Sequence, residues 1–311
     1  MNRYPQVLHI GFSKCASTYL RALFRAHPDI HLVFKSGFFT PFLATGMTFA
    51  EYQSRFRDQP GIVNVESDEH LTLPGVHPTL GVRATNLQEF ASVADRIRQC
   101  LPDVRIIMVI RNQASLLVSR YSEYLITGGS LEFEDFADAL LGAAEGDNRW
   151  YQNYYRRIIT ILEERFARAQ LLVLMQETMR ENTAQTVSQI LRFMELNEKV
   201  ALRVGLRGER RSLSLKGMHL LAGLNRPLVR RASFGGESPD TRVPLAVFRN
   251  VVRGVRALDY YALRHMSPNS SDVMPAARSR RILAAFREDN LALQDYFGRD
   301  LTALGYLEIP R

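Results

Sequence analysis

The chain has 311 residues, of which 46% are hydrophobic and 23% are charged, a composition that excludes a disordered chain and suits one large α/β domain or two small ones. No uncharged apolar stretch approaches the roughly 18 residues that a membrane span needs, and the two cysteines exclude both a disulfide framework and a cysteine metal cluster. Because the first predicted strand begins within a few residues of Met1 and leaves no room for a signal peptide, we expect a cytoplasmic protein.

The N-terminal stretch predicts a phosphate-binding loop. Residues 7–10 form a short apolar run that is typical of a buried strand, residues 11–18 are small and polar, and apolar side chains then recur at helical spacing. A strand, a tight loop and a helix start gather backbone N–H groups and the positive end of the helix dipole at one point. Lys14 adds a full charge there, and Ser17 and Thr18 add hydroxyl donors. This junction therefore favours an anionic group such as a phosphate.

The rest of the chain alternates strands with helices. We predict further strands over residues 30–34, 61–65, 104–110 and 171–175, and helices over residues 49–56, 85–100, 133–141, 150–166, 182–193 and 278–304, with one more helix after Asn112. This alternation implies right-handed crossovers and an α/β fold, in which helices cover both faces of a central parallel sheet. Ligands of such sheets bind beyond the carboxyl ends of the strands, which is where the loops after residues 10 and 110 lie.

The net charge of +8 is concentrated between residues 201 and 256, which hold twelve basic residues and three acidic ones. Short basic helices are predicted in this part of the chain. Such a segment suits an anionic substrate or a membrane surface, and a merely solvated helix surface explains it equally well. Nucleic acid is the weakest alternative, because aromatic side chains do not alternate with the arginines as a base-stacking surface requires.

The N-terminal loop differs from that of an ATP- or GTP-binding protein, which needs Gly, four residues and then Gly-Lys-Ser/Thr. Counted from Gly11, the second glycine position holds Ala16 and the lysine position holds Ser17, while Lys14 comes three residues too early. The strand that ends at residue 110 is followed by Arg111, whereas a nucleotidase places an acidic side chain there to hold magnesium. We therefore predict a site that binds phosphate without a metal.

Two predicted strand–helix junctions carry longer patterns, Gly11-Phe-Ser-Lys-Cys-Ala-Ser-Thr-Tyr-Leu20 and Arg111-Asn-Gln-Ala-Ser-Leu-Leu-Val-Ser-Arg-Tyr121. In this order they resemble the two motifs of the sulfotransferases that use 3′-phosphoadenosine 5′-phosphosulfate, PAPS. Residues 150–196 are also similar to this family, and the tail over residues 289–306 is similar to that of its carbohydrate and bacterial members. The sequence departs from the family at Ser13 and Gln113, where proline is usual, and Ala16 is the less common small residue.

The resemblance implies a P-loop-NTPase-like sulfotransferase fold in a single domain over residues 1–311. It lapses over the basic, mainly helical segment at about 205–275, which we expect to shape the acceptor site. It implies PAPS as donor, adenosine 3′,5′-bisphosphate (PAP) as product, and no metal. By the same resemblance, Lys14 stabilises the bridging oxygen as a catalytic residue, and Arg111 with Ser119 holds the 3′-phosphate that distinguishes PAPS from ATP. The donor-binding residues are then Gly11, Lys14, Cys15, Ala16, Ser17, Thr18, Arg111 and Ser119.

The acceptor also needs a general base. Some glycan sulfotransferases carry a catalytic glutamate in a Lys-Glu-x-x-Phe-Phe turn, but in this chain Lys35 is followed by Ser36. We expect the base to come from the polar turn after the strand at 61–65, from Glu66, Glu69 or His70. His70 is favoured because histidine titrates near neutral pH.

The sequence thus predicts an enzyme that moves a sulfuryl group from PAPS to a hydroxyl or amine acceptor by metal-free in-line transfer. The basic segment favours an acidic saccharide or glycolipid as acceptor, while a tyrosyl peptide and a hydroxylated small molecule stay open. We expect no nucleic acid partner. Two alternatives stay open as well: a P-loop kinase with an atypical phosphate loop, and a non-catalytic relative that uses the fold to bind anions.

Overall fold

A computed structural model describes residues 4–33, 49–68, 87–142, 154–198, 212–232, 238–266 and 276–308. Its strands are β1 Val7–Gly11, β2 Ile30–Val33, β3 Val63–Asp68, β4 Arg105–Ile110, β5 Leu171–Met175, β6 Val229–Arg231 and β7 Asp240–Thr241. Its helices are α1 Ser17–Ala26, α2 Phe49–Gln53, α3 Leu87–Cys100, α4 Gln113–Ile126, α5 Phe133–Gly142, α6 Tyr155–Glu163, α7 Gln176–Glu181, α8 Thr183–Phe193, α9 Leu215–Leu228, α10 Leu245–Tyr261, α11 Ala276–Ala285 and α12 Arg287–Phe297. Among these helices, none combines the length and the apolar character that crossing a membrane requires.

The central sheet brings the two sequence motifs to one edge. Its strands run in the order β2-β3-β1-β4-β5, and every neighbouring pair is parallel. Because β1 and β4 are neighbours with Gly11 beside Val109, the loops that follow them emerge side by side. The predicted α/β fold with a central parallel sheet is confirmed, and its P-loop-like topology places the phosphate loop in the middle of the sheet.

Two hydrophobic cores meet at helix α4. The main core surrounds the sheet, and all five residues of β1 are buried in it, as expected of a strand covered on both faces. The second core joins α4 and α5 to the C-terminal helices. Helix α4 contributes Leu116 to the main core and Leu117, Tyr121 and Leu125 to the second. Because these two cores cover two faces of α4, the third face of α4 borders the loop after β1.

Strand β3 differs from its prediction. Residues 66–68, which were expected in a polar turn, continue the strand to Asp68. Glu66, Ser67 and Asp68 are 2%, 2% and 1% exposed, so none of them is a solvated loop residue. They stay in the strand because polar side chains from neighbouring elements meet them, as Tyr52 meets Glu66 and His9 meets Ser67. Glu69 and His70 lie outside the described residues.

The C-terminal half is more regular than its sequence pattern indicates. Helix α10 is 17 residues long, where short basic helices were predicted, and β6 and β7 form a small antiparallel pair between α9 and α10. The single helical region predicted over 278–304 is divided at Phe286, and α12 ends at Gly298, whose φ of 60° supplies the left-handed cap.

Candidate active site

The loop after β1 approaches α1 in a strained conformation. Lys14 has φ 69° and Ala16 has φ 56°, values in the left-handed region that residues other than glycine adopt at a cost. Ala16 caps α1 without a side-chain hydrogen bond, although a helix N-terminus is commonly capped by a side-chain oxygen. The first N–H groups of a helix have no acceptor within the helix. The loop therefore presents them, together with the helix dipole, to a ligand.

Ser17 provides the sharpest indication of what this loop binds. Its side chain is 4% exposed, and no hydrogen-bond partner for its Oγ lies among the described residues. Buried hydroxyl groups are nearly always hydrogen-bonded, so this one is suited to donate to a bound oxyanion. Thr18 is exposed at the next position, whereas Cys15 is fully buried in the main core and anchors the loop. The loop thus fits a phosphate group.

Arg111 links the second motif to the first. Its Nη1 donates to the carbonyl oxygen of Lys14 at 3.1 Å across 97 residues of sequence, and its Nε donates to Ser115 Oγ at 2.9 Å. The Arg111 carbonyl accepts from Tyr155 Oη at 2.6 Å. Burial lowers the pKa of the guanidinium from its usual value, yet an arginine stays charged in proteins. A fixed positive charge therefore lies directly beside the phosphate loop.

Asn112, the residue after Arg111, is fixed by hydrogen bonds to residues that come much later in the chain. Its backbone N–H donates to Glu177 Oε1 at 2.9 Å, and Tyr306 donates to the other oxygen of Glu177 at 3.1 Å. Asn112 Nδ2 also donates to the carbonyl of Gly305. Burial raises the pKa of Glu177, and these hydrogen bonds oppose that shift. Gly305 has φ 77°, and a Cβ there would stand 3.2 Å from Asn112 Nδ2, so glycine is required for this close approach.

Gln113, which replaces the usual proline, has a partner of its own. Its Nε2 donates to Asn290 Oδ1 at 2.8 Å, and Asn290 Nδ2 donates back to Gln113 Oε1 at 3.2 Å and to the Tyr306 carbonyl at 2.8 Å. Gln113 and Asn290 are both fully buried. This amide pair therefore connects the start of α4 to the C-terminal tail.

The third face of α4 carries a polar stripe toward the loop. Ser115, Ser119 and Glu123 recur every four residues, so they lie on one side of the helix. Ser115 meets Arg111, and Glu123 Oε1 is 3.0 Å from Lys14 Nζ. Ser119, between them, is 7% exposed. The structure thus joins Lys14 to Arg111 and to Glu123 at one cradle between the loop after β1 and α4, and Ser17 and Ser119 lie on the two helices that border it; their role in binding the donor stays a prediction.

Arg120 is a further basic residue at this cradle that the sequence analysis missed. Burial lowers the pKa of its guanidinium, while the charges of Cys15 and Glu123 nearby oppose that shift. The available signal was its position directly after Ser119 in the second motif. Arg120 is thus a buried basic residue that Glu123 influences from the same helix.

Comparison with known proteins now identifies the family. A family model described as a sulfotransferase domain matches residues 4–204, which is about two-thirds of the chain. The chain belongs to the sulfotransferase family. Its members transfer sulfuryl groups, and the matched residues of this sulfotransferase contain the phosphate loop, Arg111 and the whole of α4.

Solved sulfotransferase structures are similar to this chain, and one with a TM-score above 0.5 shows the same fold. A sulfotransferase from Alicyclobacillus acidocaldarius is 16% identical and has a TM-score of 0.58, with 96% of this chain and 98% of that chain covered. A mouse sulfotransferase, SULT7A1, solved as a complex with PAP, is 12% identical with a TM-score of 0.49 and coverages of 96% and 89%. Among curated protein sequences, none matches this sulfotransferase.

Of the three residues predicted as general base, only Glu66 lies among the described residues. Glu66 of this sulfotransferase is buried in β3, where Tyr52 Oη donates to its Oε2 at 2.5 Å. Burial, with the neighbouring Glu66, raises the pKa of Tyr52 well above its usual value, so the Tyr52 hydroxyl keeps its proton and donates it in the hydrogen bond to Glu66. His70 lies outside the described residues, and its role stays a prediction.

Proposed function

We propose that this sulfotransferase uses PAPS as its donor and transfers the sulfuryl group to a hydroxyl or amine acceptor in line and without a metal. The observation that supports the proposal most is the hydrogen bond from Arg111 to the Lys14 carbonyl. It joins two anion-binding junctions into one cradle. A donor with two separate phosphate positions fits such a cradle better than a donor with a single phosphate chain.

The proposed roles follow from the positions of the side chains. Lys14 neutralises the charge that develops on the bridging oxygen as the bond to sulfur breaks. Gly11, Cys15 and Ala16 shape the loop, whose amides bind the 5′-phosphate together with the hydroxyls of Ser17 and Thr18. Arg111 and Ser119 bind the 3′-phosphate, which makes the site selective for a 3′-phosphorylated nucleotide. The donor itself supplies the SO3 unit.

We further propose that the chain acts as one domain, in which the segment at about 205–275 shapes the acceptor site. Exposed arginines are frequent in the described part of this segment: Arg230, Arg231, Arg242, Arg249, Arg253 and Arg256. Among the described residues, none of these six takes part in an ion pair with an acidic side chain. Unpaired positive charge of this kind attracts an anionic acceptor such as an acidic saccharide or a glycolipid. A cytoplasmic location stays a prediction.

Nucleotide selectivity tests the donor. We expect titration calorimetry in EDTA to show that PAP binds about 10²-fold more tightly than AMP, because the 3′-phosphate gains charge-assisted hydrogen bonds worth about 1.5–3 kcal/mol each. Arg111→Ala should remove most of this preference. The matched control is Arg226→Ala, since Arg226 makes an exposed ion pair with Glu132 at 2.6 Å. Equal affinities for PAP and AMP would contradict PAPS as donor.

Sulfate transfer is then tested directly. Radiolabelled PAPS is incubated with pools of acidic saccharides, glycolipids, phenols and tyrosyl peptides, and we expect labelled product from the saccharide or glycolipid pool. Tight PAP binding without transfer to any pool would indicate a non-catalytic relative. Magnesium-dependent turnover of ATP would indicate a kinase instead.

A further inference from the structure

Glu123 lies in the cradle although neither motif assigns it a role. It stands on α4, one turn beyond Ser119, and its Oε1 is 3.0 Å from Lys14 Nζ. The Glu123 side chain is 46% exposed and that of Lys14 is 27% exposed. An acidic residue is unexpected at a site that binds a multiply charged anion, because it repels the ligand. Its presence beside the catalytic lysine therefore calls for a chemical reason.

Glu123 contacts the loop after β1, and its neighbour in α4 contacts the basic segment. Lys14 reaches it from the loop after β1, and Arg120 interacts with it from the preceding turn of α4. The neighbouring residue Ser122 accepts a hydrogen bond from the backbone N–H of Leu213 at 3.0 Å. Leu213 belongs to the segment at about 205–275, to which we assign the acceptor site. Glu123 thus contacts the proposed donor loop, and the residue before it in α4 contacts the proposed acceptor segment.

The other two carboxylates discussed above are already engaged. Glu177 accepts hydrogen bonds from the Asn112 backbone and from Tyr306, and Glu66 accepts one from Tyr52. Glu66 is also 2% exposed, so an acceptor hydroxyl reaches it poorly. Glu123, in contrast, is partly exposed, and it contacts Lys14, the side chain that the proposed reaction requires.

We infer that Glu123 accepts the proton of the acceptor hydroxyl, an inference that rests on the proposed transfer from PAPS. When the donor binds, its phosphosulfate competes for the Lys14 ammonium and releases the Glu123 carboxylate. The acceptor oxygen then forms a bond to sulfur while the bond between sulfur and the bridging oxygen breaks. The electron pair of the broken bond stays on the 5′-phosphate of PAP beside Lys14. The proton leaves the acceptor oxygen for Glu123, which then releases it to solvent, so the products are the sulfate ester, PAP and one proton.

The test separates chemistry from donor binding. Glu123→Gln keeps the shape of the side chain and removes its ability to take a proton. At saturating PAPS, with the best acceptor of the transfer screen, we expect its kcat to fall about 10²- to 10⁴-fold, which is the usual contribution of a general base. Its affinity for PAP should be unchanged or tighter, because a repulsive carboxylate is gone. The matched control is Glu132→Gln, which removes an equally exposed glutamate from an ion pair with Arg226 and should retain kcat.

Chemical rescue supplies a second measurement that a purely structural role would not affect. Glu123→Ala leaves space beside Lys14 for a small carboxylate, and we expect added formate to restore part of the lost rate. A Glu123→Gln variant with unchanged kcat overturns the inference, because Glu123 then only pairs with Lys14. A loss of kcat together with an equal loss of PAP affinity overturns it as well. If the unchanged protein binds PAP and transfers no sulfate, the proposed function fails first.

Discussion

The ends of β1 and β3 lie side by side in the sheet and use their polar residues in opposite ways. The two strands are parallel, with Ile10 beside Asp68, so both deliver polar side chains to the same edge. After β1, the hydroxyl of Ser17 is buried without a partner among the described residues. At the end of β3, Glu66 is bound by Tyr52, and Ser67 is bound by His9 at 2.8 Å.

This contrast shows that position at a strand end does not by itself make a residue functional. Both ends satisfy the rule that ligands of a parallel sheet bind beyond its carboxyl edge. A site needs polar groups that the fold leaves available, and the fold satisfies those of β3 internally. The proposed donor site therefore lies at the end of β1, whereas the side chains of Glu66 and Ser67 are bound within the fold.

The largest effect is expected at the end of β1. Lys14→Ala should lower the rate of sulfate transfer about 10²- to 10³-fold, as does the removal of one group that stabilises developing negative charge. PAP affinity should fall as well, because the 5′-phosphate of PAP carries the charge that Lys14 stabilises as the bond to sulfur breaks. Single-turnover measurements with radiolabelled PAPS give the rate.

Lys216→Ala is the matched control for this variant, because Lys216 is an exposed lysine whose Nζ lies 3.4 Å from the carbonyl of Met266. It should leave the transfer rate within about two-fold of the original, because a lone surface contact contributes little. If Lys14→Ala transfers sulfate at the same rate as this control, the end of β1 has no special role in the transfer and does not differ from the end of β3 in this respect.

At the end of β3 we expect an effect on stability and not on donor binding. Tyr52→Phe leaves the buried Glu66 without its hydroxyl partner, which should lower the free energy of unfolding by about 1–3 kcal/mol. Denaturant titration measures this change, and Tyr260→Phe is the control because Tyr260 is 60% exposed. Transfer that is lost in Tyr52→Phe at unchanged stability would instead support the sequence prediction that Glu66 acts as a base.

The smallest expected effect is on how the free energy of unfolding depends on pH, and it comes from His9. Burial, assisted by Arg21, lowers the pKa of His9 from 6.5 to about 3. Between these values the unfolded chain binds the proton and the folded protein does not, so the free energy of unfolding falls as the pH drops below 6.5. The loss is at most about 1.4 kcal/mol per pH unit.

His9→Gln should therefore show a flatter dependence between about pH 7 and about pH 5, measured by urea unfolding. His219→Gln is the control, because His219 is exposed on α9. Parallel curves for the original protein and His9→Gln would mean that folding does not lower the pKa of His9, and the end of β3 would then be less closed than its burial indicates.

Much of the site could be predicted from the sequence because its signals are local. The apolar run before Gly11 and the helical spacing after Thr18 each depend on a few consecutive residues, and so does the position of Arg111 after the strand now assigned as β4. The error at β3 has a physical cause as well. Glu, Ser and Asp in a row indicate a turn when their surroundings are unknown, whereas Tyr52 and His9 supply partners that keep these residues in a buried strand.

The sequence by itself determined the two junctions, the charge of the loop and the family to which they belong, since these follow from residue order over short distances. Only the tertiary structure decided which groups meet. Arg111 meets the Lys14 carbonyl across 97 residues, and Gln113 meets Asn290 across 177. The contact between Glu123 and Lys14 likewise joins residues that are far apart in the sequence. Such contacts depend on the order of the strands and on how α4 packs between two cores, and no short stretch of sequence specifies either.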